Sequence, residues 1–131
     1  MKYLVDSDYV ADYLVAKPHA TQLLDTLTSE GITMSLITFG EIYEGISFGR
    51  DPHKAEEVFR RFLRCTGILP LTKPIMKRFA QIRGELRQKG QIIGDFDILI
   101  AATAIQHHLT LVTRNTRDYI RIPNLDMYQA S

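Results

Sequence analysis

The feature that most constrains the fold is an almost continuous apolar run at residues 98–105, in which only Thr103 is polar. A helix that is apolar on all sides has to be buried, so we expect this run to form a core helix. Two carboxylates, Asp95 and Asp97, nevertheless stand just before it. Burying a carboxylate is costly unless a positive group compensates its charge.

Two explanations of this aspartate pair are open from the residues alone. Asp95 can be the N-cap of the helix and Asp97 a first-turn residue, since the positive end of the helix dipole favours both. Alternatively, a metal ion at the mouth of a cleft can balance the charge. Capping accounts well for one aspartate and less well for the second.

Short apolar runs alternate along the chain with segments of helical periodicity. Strands are predicted at residues 3–5, 32–35, 68–71 and 110–113, with a last short one near Leu125. Predicted helices follow an N-cap at Ser7 or Asp8, at Asp51, at Thr72 and at Asp95, and two further helices start near His19 and at Thr38. This alternation predicts a single α/β domain over residues 1–131, with a parallel sheet of four to five strands covered on both faces. Ligands of such sheets gather at the carboxyl ends of the strands.

Composition excludes several classes of protein. With 131 residues, of which 45% are hydrophobic, the chain can bury a real core. No apolar run approaches the ~18 residues of a membrane span, and the early charge at Asp6 is unlike a signal peptide. The single cysteine, Cys65, excludes an internal disulfide and fits a reducing cytoplasm. We therefore expect a cytoplasmic protein with no membrane association.

Charge is unevenly distributed, although the net charge is only +1. Residues 1–49 hold seven acids against two lysines, whereas residues 50–90 hold eleven Lys and Arg against four acids. This basic middle segment can be a solvated helical surface or a phosphate-binding face. Arg60, Arg64 and Arg87 are its candidate contacts to phosphate or to a protein partner.

Four acids fall where the predicted sheet would bring them together: Asp6, Glu41, Asp97 and Asp118. Carboxylate oxygens are the ligands that Mg²⁺ prefers, and such a site activates water for attack on a phosphodiester. Each acid also has a plain structural explanation, such as a capping box that Glu41 would form with Thr38. Possible supporting residues, able to orient ligands or water, are Ser7, Asp95, Thr113 and Asn115.

Four segments of the chain resemble, in order, the signature blocks of PIN-domain proteins, and most of all VapC-like toxins of toxin–antitoxin pairs. The segments are residues 3–8, 37–45, 93–104 and 111–119. Asp97, rather than Asp95, matches the family position because it directly precedes the run Ile-Leu-Ile-Ala-Ala. Asp8 is an additional carboxylate, and Tyr119 stands where the family usually has Phe.

The resemblance implies a three-layer α/β/α PIN-like fold and a metal-dependent endoribonuclease. It makes Asp6, Glu41, Asp97 and Asp118 catalytic ligands of Mg²⁺ or Mn²⁺. It further implies an RNA substrate, a homodimer and inhibition by a cognate VapB-like antitoxin, through which operator DNA is bound.

Two other functions remain as alternatives. Asp6-Ser7-Asp8 after a strand resembles the motif of haloacid-dehalogenase-like phosphohydrolases, in which the first aspartate would be the nucleophile. A non-catalytic PIN-like binding domain is the second alternative, although such a domain would be expected to have lost at least one of the four acids.

Overall fold

Four parallel strands form the central sheet in the computed structural model, which describes residues 1–129. The strands are β1 (Tyr3–Val5), β2 (Ile32–Ser35), β3 (Thr66–Leu69) and β4 (Thr110–Val112), in the order β3-β2-β1-β4. β1 pairs with β2 on one side and β4 on the other. The residues that follow these central strands therefore meet at one edge of the sheet.

Seven helices connect the strands within the described residues. They are α1 (Ser7–Leu14), α2 (Pro18–Leu27), α3 (Leu36–Ser47), α4 (Pro52–Leu63), α5 (Lys73–Gln88), α6 (Asp95–Gln106) and α7 (Thr116–Tyr119). A short 3₁₀ turn, Thr28–Glu30, separates α2 from β2. No helix among residues 1–129 is both long and apolar enough to cross a membrane.

The two faces of the sheet bury separate apolar clusters because successive side chains of a strand point to opposite faces. Leu4 and Leu111 join the cluster that contains α5 and α6. Tyr3, Val5 and Val112 join the cluster of the opposite face, which contains residues of α1 to α4. These layers confirm the expected three-layer α/β/α fold.

The apolar run at residues 98–105 forms the body of α6, and every residue from Ile98 to Ala104 is buried. The hydroxyl of Thr103, the one polar residue of the run, donates to the Leu99 carbonyl at 2.8 Å. The predicted core helix is therefore confirmed, and its polar member is satisfied within the helix.

The expected N-cap of α6 was wrong. Gly94 occupies the N-cap position, and Asp95 is the first helical residue. The Asp95 carboxylate instead accepts a hydrogen bond from the Arg83 Nε at 2.7 Å. An ion pair to the neighbouring helix α5 thus replaces the capping interaction.

The N-caps of two other helices also precede the predicted ones, because residues at or just after strand ends serve as caps. Ser35 caps α3 and accepts from the Ile37 amide, so Thr38 lies inside the helix and forms no capping box. Asp6 is the N-cap of α1, in place of the expected Ser7 or Asp8.

Two strand predictions need correction. β3 begins two residues before the predicted start, because Thr66 and Gly67 continue the parallel pairing with β2. Near Leu125 no regular strand forms in the described residues. The chain instead makes an isolated parallel bridge between Leu111 and Met127.

Candidate active site

Asp6 lies at the carboxyl edge of the sheet, directly after β1, and is only 5% exposed. Thr113 directly follows β4, and its hydroxyl donates to Asp6 Oδ2 at 2.7 Å. The Ser7 backbone amide donates to Asp6 Oδ1 at 2.8 Å. These two bonds fix the Asp6 carboxylate at the junction of β1, β4 and α1.

The neighbouring carboxylate of Asp8 belongs to the same edge. Its Oδ2 accepts from the Arg114 backbone amide at 2.9 Å and lies 3.5 Å from the Thr113 hydroxyl oxygen. Thr113 therefore lies between the carboxylates of Asp6 and Asp8.

Glu41 reaches this edge from α3. Its Oε1 accepts a short hydrogen bond of 2.6 Å from the Ser7 hydroxyl, whose oxygen also lies 3.1 Å from that of Thr38. This contact ties the Glu41 carboxylate to the residue that directly follows Asp6.

Asp97 approaches from the first turn of α6. Its Oδ1 accepts from the hydroxyl of Tyr119 at 3.3 Å. Tyr119 is fully buried in the cluster beneath α6. The hydroxyl of a buried tyrosine thus positions the Asp97 carboxylate at the edge of the sheet.

Asp118 differs from the other three acids because it has a cation of its own. Arg121 Nη2 lies 2.6 Å from Asp118 Oδ1, and the Asn115 side-chain amide donates to Asp118 Oδ2 at 3.3 Å. Both partners lie within three residues of Asp118, on α7 or at its ends.

The structure therefore brings together most of the predicted residues and leaves one out. Ser7, Thr113 and Asn115 contact Glu41, Asp6 and Asp118 respectively. Asp95, the remaining supporting candidate, instead contacts Arg83 on α5. The described contacts thus tie Asp95 to a neighbouring helix and not to the four acids.

Uncompensated negative charge is the main electrostatic property of this edge. Burial raises the pKa of Asp6 to about 6, and the negative charges of Asp8 and Asp97 add to that rise. Burial also raises the pKa of Asp97, and the charges of Asp118 and Asp8 reinforce it. Hydrogen bonds from Thr113 and Tyr119 oppose these shifts but do not cancel them.

The donor set fits a hard divalent cation by its chemistry. All four acids offer carboxylate oxygens, and repulsion among neighbouring carboxylates is relieved when a cation binds. Within residues 1–129 no three acidic, histidine or cysteine side chains are placed closely enough to hold an ion as they stand. The fit rests on the oxygen donors and the unbalanced charge.

Two residues of this edge, Tyr119 and Arg121, had no role predicted from the sequence. Tyr119 had the features of an ordinary core aromatic, and the signal available was that a buried Tyr needs a partner for its hydroxyl. Burial, reinforced by the negative charges of Asp6 and Asp97, raises the pKa of Tyr119, so the phenol stays a neutral donor. Arg121 lies beyond the recognisable motif and had no sequence signal.

Residues 3–125 match the family described as PIN domain. The chain belongs to the PIN domain family. This membership excludes the phosphohydrolase alternative, and the matched residues include all four predicted acids.

Individual PIN domain relatives agree with this assignment over most of the chain. Ribonuclease VapC2 of Rickettsia felis is 36% identical over 94 residues, covering 72% of this chain and 70% of its own. Toxin FitB of Neisseria gonorrhoeae is 32% identical, and the match covers 88% of this chain and 89% of FitB. A chain in the crystal structure of VapBC2 from Rickettsia felis bound to a promoter DNA fragment superimposes with a TM-score of 0.91 at 28% identity, covering all of both chains.

Proposed function

We propose that this protein is the toxin of a toxin–antitoxin pair and acts as an endoribonuclease dependent on Mg²⁺ or Mn²⁺. The observation that carries the proposal is the group of uncompensated carboxylates at the carboxyl edge of β1 and β4. Relatives named as a VapC ribonuclease and a FitB toxin support the choice of reaction and of biological role.

In this proposal Asp6, Glu41 and Asp97 hold the ion, and Asp118 completes the site or holds a second ion. When bound, such an ion activates water and neutralises charge on the phosphodiester. Thr113, Ser7 and Tyr119 fix the orientations of Asp6, Glu41 and Asp97. Hydrolysis by water would leave 5′-phosphate and 3′-hydroxyl ends.

The proposed partners are RNA as substrate and a VapB-like antitoxin as inhibitor, with operator DNA bound only through the antitoxin. We also propose that the toxin is a homodimer acting in the cytoplasm, where its substrate is. A VapBC2 complex bound to promoter DNA supports these partners.

An apolar groove gives the antitoxin a place to bind. It has a volume of about 470 Å³, lies between α1, α3 and α4, and has Glu41 among its lining residues. An extended segment in this groove would therefore end beside the carboxylates, which is how an antitoxin could block the site.

The test of the proposed activity is RNA cleavage by purified protein freed of antitoxin. We expect cleavage with Mg²⁺ or Mn²⁺ and none with EDTA. Asp97→Asn should reduce cleavage by about 100-fold or more, because the variant loses a charged ligand of the ion. Asp95→Asn is the matched control and should keep its activity, since Asp95 contacts Arg83.

Full cleavage by the Asp97→Asn variant would show that the roles are wrongly assigned. Protein that binds an antitoxin but cuts no RNA with either metal would instead support the non-catalytic alternative.

A further inference from the structure

Two arginines border a polar cavity next to the proposed metal-binding edge. The cavity has a volume of about 520 Å³ and is lined by Asn115, Arg117, Asp118 and Arg121. All four residues lie on α7 or at its ends, so one short segment builds this lining. We refer to it as the α7 cavity.

Asp118 fixes the position of Arg121 in this cavity. The contact between Arg121 Nη2 and Asp118 Oδ1 is 2.6 Å long, and Asn115 holds the other oxygen of the same carboxylate. A guanidinium carries five N–H donors in a rigid fork. The Arg121 side chain is 31% exposed and lines the cavity, and its contact with Asp118 uses one nitrogen, Nη2.

Arg117 adds a second positive charge. Within residues 1–129 its side chain makes no hydrogen bond or ion pair, unlike the side chain of Arg114, which pairs with Asp12 at 2.9 Å. The residues that line the α7 cavity thus carry two guanidinium groups and one carboxylate, so the lining itself is net positive beside the negative edge. Such a charge attracts an anion, and paired Arg donors match the geometry of a phosphate.

The α7 cavity is adjacent to the proposed reaction centre. Asp118 precedes Tyr119 in the chain, and the Tyr119 hydroxyl contacts Asp97. A polynucleotide whose scissile phosphate lies at Asp6 and Asp97 would place a flanking phosphate near α7.

We propose that the α7 cavity binds a backbone phosphate of RNA next to the scissile bond, with Arg121 as its principal ligand and Arg117 as a second. Asp118 is the positioning residue for Arg121. The inference rests on the proposed function, since it takes RNA to be the substrate. Phosphate recognition would then lie at α7, after β4, and not in the basic middle segment. Contacts of this kind position RNA without reading its sequence.

The experiment measures binding of a fluorescein-labelled single-stranded RNA by anisotropy, at several salt concentrations and with EDTA. The parent protein carries Asp97→Asn, so that binding is separated from cleavage. Adding Arg121→Ala should weaken binding about tenfold, the loss expected for a charged hydrogen-bonded contact. It should also lower the salt-dependence slope by about 0.7, the value for one phosphate of a single strand.

Lys2→Ala is the matched control, since it removes one positive charge from an exposed residue that pairs with Glu30 and lies just before β1, at the end of the strand away from Asp6. It should leave the slope nearly unchanged. Arg121→Lys should keep most of the slope but only part of the affinity, because a point charge replaces the fork. Asp118→Asn should weaken RNA binding less than Arg121→Ala, because the guanidinium remains but loses the carboxylate that positions it.

If Arg121→Ala has the same RNA affinity and salt slope as Lys2→Ala, the inference is overturned while the proposed function stays intact. A lowered melting temperature with an unchanged slope would also overturn it, since Arg121 would then be only structural. Loss of antitoxin binding without loss of RNA binding would assign the α7 cavity to a protein partner and overturn it as well. If the parent binds no RNA and the unsubstituted protein cuts none, the proposed function fails, and the inference fails with it.

Discussion

Asp97 carries a negative charge that its surroundings do not balance. It is half-buried, accepts one hydrogen bond from Tyr119 and lies near the negative charges of Asp118 and Asp8. Burial is the largest cause of its raised pKa. The ionised carboxylate therefore destabilises the metal-free folded protein, and such a cost is typical of a functional site.

The first prediction is that Asp97→Asn raises the melting temperature of EDTA-treated protein by a few degrees at pH 7. The amide keeps the shape of the carboxylate and an oxygen that can accept from Tyr119, but it carries no charge. Because the folded pKa of Asp97 is raised above its ordinary value of 3.8, the stability of the unsubstituted protein falls as pH rises through the folded pKa. The difference between the two proteins should therefore shrink as pH falls towards 4.

Thermal melts with Mn²⁺ provide the control. Mn²⁺ should stabilise the unsubstituted protein more than the variant, because ligand binding stabilises only the state that binds it. A variant that melts lower in EDTA would contradict the view that the charge of Asp97 is uncompensated.

The second prediction concerns the buried hydroxyl of Tyr119. Tyr119→Phe keeps the ring in the core but removes the donor to Asp97, so the carboxylate loses its fixed orientation. We expect Mn²⁺ affinity to fall about three- to tenfold, as for the loss of one hydrogen bond. Isothermal titration with Mn²⁺ measures this change, and a melting curve checks that the fold is kept.

The Asp97→Asn background separates positioning from packing. There Tyr119→Phe should have little further effect on Mn²⁺ affinity, because the ligand it positions is already impaired. Unchanged Mn²⁺ affinity combined with lower stability would show that Tyr119 is only a core residue.

At the scale of the elements, α6 shows what the sequence could and could not predict. Its apolar run predicted a buried helix, and all residues from Ile98 to Ala104 are buried. Periodicity likewise placed helices α1 to α5 and the four strands, whereas the four-residue helix α7 was not predicted. The N-cap of α6 was wrong because a cap depends on tertiary neighbours: Arg83, on another helix, pairs with Asp95.

The candidate site was predictable to a similar degree. Acids that follow strands could be placed at one edge from the strand pattern alone, and Asp6 and Asp118 do flank the central strands. Contacts made across the fold could not be predicted. Tyr119 contacts Asp97 from beneath α6, and Arg121 pairs with Asp118 after α7, and neither contact has a periodicity that a sequence reveals.

At the scale of the whole molecule, two surfaces meet at Glu41. One is the carboxylate edge of the sheet, where Ser7 holds the Glu41 carboxylate. The other is the apolar groove between α1, α3 and α4, which Glu41 also lines. This shared residue connects the proposed antitoxin groove to the proposed catalytic edge.

The last prediction is that Val15→Asp releases the toxin from its antitoxin without changing its nuclease activity. Val15 lines the groove and is 68% exposed, so the fold should tolerate the charge. An apolar antitoxin segment, however, would have to bury an unpaired carboxylate, which costs more than 1 kcal/mol and should weaken inhibition by about tenfold or more. The measurement is RNA cleavage titrated with the cognate antitoxin, and cleavage without antitoxin should equal that of the unsubstituted protein.

Met76→Asp on α5 is the control, since Met76 is an exposed apolar residue outside the groove. Equal inhibition of all three proteins would mean that the antitoxin binds elsewhere and reaches Glu41 by another path.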